Sequence, residues 1–135
     1  RAREEALDVM IRPTEKLEIY GSDLDPKAID LAKAHADEAG VGQYINLKQM
    51  NVNDFYSKEK FGFIVTNPPY GERLMELSEA EALYRKMGKH FKTLEPWQAY
   101  IITSHKGFEN LYGRRADKVR KLYNGMLPCY LYQFF

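Results

Sequence analysis

The sequence predicts an α/β fold with a mostly parallel sheet and an antiparallel hairpin at its carboxyl end. Two observations carry that expectation. Apolar strand-like runs alternate with helical stripes from Leu17 to Thr103, which is the pattern of strand–helix–strand units. Asn124-Gly125 then separates two runs that carry leucine and aromatic residues, a strong short-range hairpin signal.

Each element follows from local chemistry. Residues 2–11 suit a short helix that ends before Pro13. Leu17 to Gly21 is a strand. Asp25 is a good N-cap with Pro26 at the first helical position, and Ile29, Ala32, Ala36 and Ala39 form an apolar stripe that Gly40 ends. Tyr44 to Met50 is a second strand. The third is the apolar run of residues 61–66, with Phe63, Ile64 and Val65 at its core, stopped by Pro68 and Pro69. Ser78 and Glu81 read as a capping box opening a helix whose stripe is Tyr84, Met87, Phe91 and Leu94. Trp97 to Thr103 is a fourth strand, Gly107 to Tyr112 a short helix, and Arg120 to Phe135 the hairpin.

Composition sets outer bounds. The chain has 135 residues, enough for one small domain or part of a larger one, and a net charge of +1 with 29% charged residues. That balance gives no global field for nucleic acid. One basic cluster stands out at residues 114–121, which hold Arg114, Arg115, Lys118, Arg120 and Lys121 against Asp117. A single cysteine, Cys129, excludes an internal disulfide framework and fits a reducing compartment. The start is charged and no apolar run reaches spanning length, so a soluble cytoplasmic protein without membrane contact is expected.

In such folds, ligands bind at the carboxyl ends of the strands. Three informative loops fall there. Asn67-Pro-Pro-Tyr70 leaves the third strand as a stiff turn without a free N–H at its two prolines. The Asn67 amide oxygen and the Pro68 carbonyl can accept hydrogen bonds from an amino group on a planar substrate, while Tyr70 stacks on the ring. The bland alternative is an ordinary Pro-Pro turn beside a structural tyrosine. Asp23 follows the first strand, the usual place for a carboxylate that accepts from ribose hydroxyls, and Leu24 can pack on a purine face. Asp54 follows the second strand, with Phe55 positioned to cover a base. Together the three loops describe a nucleoside-containing cofactor next to an amino-bearing planar substrate.

Tyr20-Gly-Ser-Asp-Leu-Asp-Pro-Lys-Ala-Ile29, Asn53-Asp-Phe55 and Thr66-Asn-Pro-Pro-Tyr-Gly-Glu-Arg-Leu74 resemble the second, third and fourth motifs of S-adenosylmethionine-dependent amino-methyltransferases. The longer fourth string, with Leu122-Tyr-Asn-Gly-Met126, resembles the bacterial large-subunit ribosomal RNA guanine-N2 methyltransferases in their catalytic domain. The resemblance runs from Ile19 onward. It implies a Rossmann-like class I methyltransferase sheet, S-adenosylmethionine as cofactor and 23S ribosomal RNA as partner. The implied catalytic residues are Asn67, Pro68 and Tyr70. The implied cofactor contacts are Asp23, Leu24, Asp54 and Phe55, with Asn67 counted among them. Pro69, Tyr70, Arg114, Arg115, Lys118 and Lys121 are the expected substrate contacts. Asn-Pro-Pro-Tyr alone would also admit DNA adenine or protein glutamine as acceptor, and the flanking strings favour the RNA enzymes.

The family's first motif, a strand and glycine-rich loop, has no counterpart in residues 1–16, and its RNA-binding domain lies further upstream still. Residues 1–16 are therefore expected to be a helical lead-in, and 17–135 a partial catalytic domain. The missing strand would lie between the strands at Ile19 and Phe63. The segment is expected to need the upstream part of the same polypeptide, and to be inactive or a bare interaction module without it.

The remaining candidates read as structural. His35 falls on a helix surface, and His90 in partly buried packing. His105 lies nearer the active edge, but one histidine without a cysteine or acidic cluster makes a poor metal site, and no metal is expected. Cys129 reads as an inert buried thiol. Glu72 and Arg73 are expected to pair and brace their loop. The basic cluster suits either a solvated face or phosphate contact.

Overall fold

The computed structural model describes residues 1–71 and 74–135, with the side chains of 74 and 75 also left aside. The expected Glu72–Arg73 pair lies outside the described residues. The chain divides into two compact units, Arg1–Val52 and Asn53–Phe135.

The first unit opens with α1 (Ala2–Asp8), fully exposed and three residues shorter than its sequence pattern suggested. β1 (Ile19–Asp23) and β2 (Ile45–Gln49) pair in parallel, Ile19 opposite Ile45 and Asp23 opposite Gln49. α2 (Pro26–Glu38) connects them, with Pro26 in the first turn and the Asp25 carboxylate capping the Lys27 amide at 2.9 Å. Of its expected stripe, Ile29 is buried, Ala32 and Ala36 are half-buried, and Ala39 is exposed.

The second unit is a four-stranded sheet in the order β3 (Phe63–Thr66), β4 (Gln98–Thr103), β6 (Leu127–Phe134), β5 (Lys118–Asn124). β3 and β4 run parallel, and β6 lies antiparallel to both β4 and β5. α3 (Leu74–Lys92) and α4 (Phe108–Tyr112) complete it. Tyr84, Met87, Phe91 and Leu94 all bury, as the helical spacing predicts. They join Ala99 and Ile101 of β4, Phe108 and Tyr112 of α4, and Cys129, Tyr132 and Phe134 of β6. Aromatic contacts dominate that core, with Phe108 and Tyr132 centroids 4.9 Å apart and Tyr112 and Phe134 4.4 Å apart.

β1 and β3 belong to separate sheets. Each has one edge without a partner among the described residues.

Two sequence expectations shift. α3 begins at Leu74, a full turn before Ser78, so Ser78 sits inside the helix and caps nothing. Leu-Met-Glu-Leu are strong helix formers, and Gly71 makes the turn that admits them. The hairpin loop is Gly125-Met126, one residue later than the Asn-Gly signal, because Asn124 pairs directly with Leu127. Gly125 has φ 63° and no non-glycine residue among the described ones has positive φ, which describes a type II′ turn with glycine first.

Candidate active site

In the first unit, Asp23 is the last residue of β1 rather than the first beyond it. One oxygen of its carboxylate accepts the Asp25 amide at 2.8 Å, so Asp23 does shape the turn. Its other oxygen makes no hydrogen bond among the described residues. The turn is fastened to β2: the Asp23 carbonyl accepts the Met50 amide at 3.0 Å, and the Leu24 carbonyl accepts the Gln49 side chain at 2.9 Å. Leu24 is thereby held outward, 63% exposed. A fixed carboxylate and a bare aliphatic face are a suitable pair for ribose hydroxyls and a flat ring.

In the second unit, Asp54 ends a 3-10 turn, Val52–Asp54, and is exposed. Phe55 is half-buried with its ring 5.4 Å from Trp97. Its carbonyl lies 2.6 Å from Nε2 of His90. A carbonyl can only accept, so Nε2 carries the proton there.

β3 delivers the chain to Asn67, which is exposed and whose carboxamide has no hydrogen-bond partner among the described residues. Pro68 is buried, and no hydrogen bond reaches its carbonyl from a described residue. The next carbonyl is different: Pro69 accepts the Tyr84 hydroxyl at 2.5 Å. Gly71 then turns the chain onto α3 with φ 73°, and a Cβ there would lie 2.5 Å from the Leu77 Cα. Any side chain at 71 would push the helix off the loop.

Tyr70 is half-buried, and its hydroxyl is shielded from water without a hydrogen-bond partner among the described residues. Burial pushes its phenol up from the ordinary value, with Cys129 adding to the shift and Asn124 opposing it. Tyr70 thus reaches toward the β5–β6 hairpin. That placement gives the Leu122–Met126 string a structural reason to accompany the Asn-Pro-Pro-Tyr turn.

Behind the loop runs a chain of hydrogen bonds that sequence reasoning missed. Tyr84 and Thr103 hydroxyls lie 2.9 Å apart, and Thr103 accepts the His105 amide at 3.1 Å. His105 accepts the Gly107 amide on Nδ1 at 3.0 Å, so its proton sits on Nε2 and is given to Glu81 at 2.9 Å. A tyrosine inside an apolar helical stripe was the available signal, since a buried hydroxyl needs a partner. Among the described residues no group of three or more His, Cys, Asp or Glu side chains could hold a metal ion.

The basic cluster separates into two kinds. Arg114 is engaged, 3.0 Å from Asp117, 3.8 Å from Glu95, 3.3 Å from the Phe135 carbonyl, and over the Phe134 ring. Arg115, Lys118 and Lys121 are exposed and form no ion pair among the described residues, and Lys121 lies 5.5 Å from the Tyr123 ring centre. Because Lys118 and Lys121 stand in one strand an odd number of residues apart, they face opposite sides of the sheet.

A family model described as RMKL-like, methyltransferase domain, matches residues 2–133. The chain belongs to that family. It is 47% identical over 119 residues to YpsC of Bacillus subtilis, described as a candidate RNA methyltransferase, covering 88% of this chain and 31% of YpsC. It is 40% identical over 117 residues to the ribosomal RNA large subunit methyltransferase K/L of Legionella pneumophila, covering 86% of this chain and 16% of that protein. The chain therefore spans a third or less of these family members. Among solved structures it is similar to a possible methylase of Clostridium difficile 630, with a TM-score of 0.91 and 44% identity across 98% of this chain and 35% of that one. SMU.472, described as a candidate methyltransferase complexed with SAH, gives 0.90 and 41% across 100% and 36%. A Listeria monocytogenes protein described as a predicted N6-adenine-specific DNA methylase gives 0.86 and 42% across 99% and 34%. No helix among the described residues is long and apolar enough to cross a membrane.

Proposed function

We propose that the protein containing this chain transfers a methyl group from S-adenosylmethionine to the exocyclic N2 of a guanine in 23S ribosomal RNA, in the cytoplasm. Residues 17–135 would form part of its catalytic domain, with 1–16 leading in, and the rest of the polypeptide would complete the cofactor cradle and grip the RNA. One observation supports the reading above others. The Asn67 carboxamide and the Pro68 carbonyl have no partner among the described residues, while the adjoining Pro69 carbonyl is tied down.

A guanine amino nitrogen is a poor nucleophile because its lone pair is delocalised into the ring. Acceptors at Asn67 and Pro68 would take its two N–H bonds, favour a pyramidal nitrogen and aim the lone pair outward. The gain is positioning and preorganised electrostatics, with no strong base required. A base extruded from its helix would stack on Tyr70 in place of its lost neighbours. Asp23, Leu24, Asp54 and Phe55 suit a bound adenosine by chemistry: two exposed carboxylate-bearing turns, each next to an apolar side chain. When bound, S-adenosylmethionine supplies an electrophilic methyl on a positively charged sulfur.

The same two acceptors would serve an adenine N6, and the likeness to the Listeria protein keeps DNA adenine as the second reading. One experiment separates them. The full-length protein is incubated with labelled S-adenosylmethionine and either ribosomal RNA or DNA, and the products are digested to nucleosides. N2-methylguanosine from RNA is expected. N6-methyladenine from DNA, or no transfer by a protein that binds SAH, overturns the proposal.

A further inference from the structure

We propose that α3 positions both loops of the second unit independently, Tyr84 fixing the acceptor loop and His90 fixing the Asp54-Phe55 loop. Neither residue touches substrate in this reading, which rests on the proposed methyl transfer for its kinetic consequences.

The polarity of the network can be worked out proton by proton. The Tyr84 hydroxyl has one hydrogen, and the Pro69 carbonyl can only accept it, at 2.5 Å. The Thr103 hydroxyl must therefore donate to Tyr84, since only one of the pair can do so. Thr103 in turn accepts the His105 amide, which anchors the chain to the end of β4. Tyr84 and Thr103 are both fully buried, so water does not compete for these bonds. A hydroxyl that accepts one hydrogen bond donates a stronger one, and the chain delivers that gain to Pro69. Burial also holds the Tyr84 phenol above its ordinary value, which keeps the proton in place at physiological pH.

The result is a clamp one residue after the Pro68 carbonyl and two after Asn67. Proline at 68 and 69 leaves the segment few torsions to relax through, so fixing the Pro69 carbonyl fixes its neighbours. Six residues along the same helix, His90 grips the Phe55 carbonyl at 2.6 Å, while Trp97 holds the Glu59 carbonyl at 2.8 Å and packs on the Phe55 ring. Tyr84 belongs to the buried stripe and would be conventional core packing if its hydroxyl were idle. His90 lies beside the stripe, half-buried, and reaches a different loop.

The test uses Tyr84→Phe, His90→Leu and His90→Gln in the full-length protein. Tyr84→Phe keeps the ring against Phe108 and His105 and removes only the donor. It should lower kcat by about 10-fold to 100-fold, in line with the cost of small misplacements, and change SAH affinity less than twofold or so. His90→Leu should weaken SAH binding by about 10-fold, and His90→Gln, whose amide can still donate, should recover most of it. Amide exchange provides a readout that does not depend on catalysis. Tyr84→Phe should speed exchange at Asn67, Tyr70 and Gly71 while Phe55 and Tyr56 keep their protection, and His90→Leu should do the reverse.

Exchange rising equally in both loops would mean simple loss of global stability and would overturn the inference, as would an unaltered kcat in a folded Tyr84→Phe. Should Tyr84→Phe fail to fold, the His90 pair decides: equal SAH affinity in Leu and Gln variants refutes the proposal. Loop-selective exchange in a protein without any methyl transfer would uphold the positioning role and overturn the proposed function instead.

Discussion

Asn67→Ala tests the proposed chemistry most directly, because the structure separates its effect on folding from its effect on reaction. The side chain is exposed and its carboxamide bonds to no described residue. Truncation therefore leaves no cavity and no orphaned partner, and stability should change by no more than about 0.5 kcal/mol. The loss in the chemical step should be far larger. Removing one preorganised group that contacts the reacting centre costs on the order of 100-fold or more, or roughly 3 kcal/mol. Single-turnover methyl transfer with cofactor in excess isolates that step, and calorimetry with SAH measures the cofactor separately. Asn67→Asp keeps an acceptor oxygen and should retain more activity than the alanine variant. Retained turnover in Asn67→Ala would refute the reasoning. So would a drop in SAH affinity that matches the loss of rate, since Asn67 would then be holding cofactor rather than directing the amine.

The strand-and-helix order was legible because hydrophobic period and proline placement are local. Tyr84, Met87, Phe91 and Leu94 needed only their spacing to be assigned to the core, and the prolines at 68 and 69 needed only their missing N–H groups to end β3. Boundaries depended on longer-range events. The hairpin turned on Gly125-Met126 because the β5–β6 pairing favoured a type II′ turn over one on Asn124-Gly125, and moving the turn by one residue shifts the cross-strand partners by two, so that Leu122 rather than Arg120 stands opposite Cys129. Lys118 and Lys121 were read as one patch, yet strand geometry sends them apart. Arg114 looked like its neighbours in sequence and differs through Glu95 and Asp117, the first of which lies nineteen residues away. The turn carrying Asn67 was visible at once. What holds it was not, since Tyr84 is 15 residues removed from Pro69 and resembles any aromatic of a buried stripe.

Asp23→Asn preserves the acceptor for the Asp25 amide but loses the charge, and should weaken SAH binding by about 10-fold; equal affinity by calorimetry would leave Asp23 as a turn residue only. Replacing Arg115, Lys118 and Lys121 with Gln should flatten the salt dependence of RNA binding by roughly 0.7–0.9 per lost phosphate contact, whereas Arg114→Gln should lower the melting temperature and leave the slope alone. An unaltered slope in the triple variant assigns these residues to a solvated face. Burial pushes the Tyr112 phenol from 10.0 up to about 12, against the opposing Arg114 cation. Its contribution, at most roughly 2–3 kcal/mol, is fully present below pH 10 and disappears as pH rises through about 12. Tyr112→Phe should remove that share of the alkaline loss of stability, and identical stability-against-pH curves for the variant and the parent would contradict it. The last expectation concerns residues 1–135 expressed alone. The open edges of β1 and β3 carry Ile19, Tyr20, Phe63 and Val65, which are 46%, 57%, 70% and 79% exposed. Edge amides in contact with water remain hydrated, so open edges do not forbid folding; they offer a template for pairing with another chain. Apolar side chains alongside them add a further gain on association. The isolated segment should therefore dimerise or aggregate with rising concentration in light scattering, and Val65→Lys, which places a charge on the β3 edge, should shift it toward monomer. A segment that stays monomeric at every concentration, and melts in one cooperative step, would show that these edges are already satisfied within the chain.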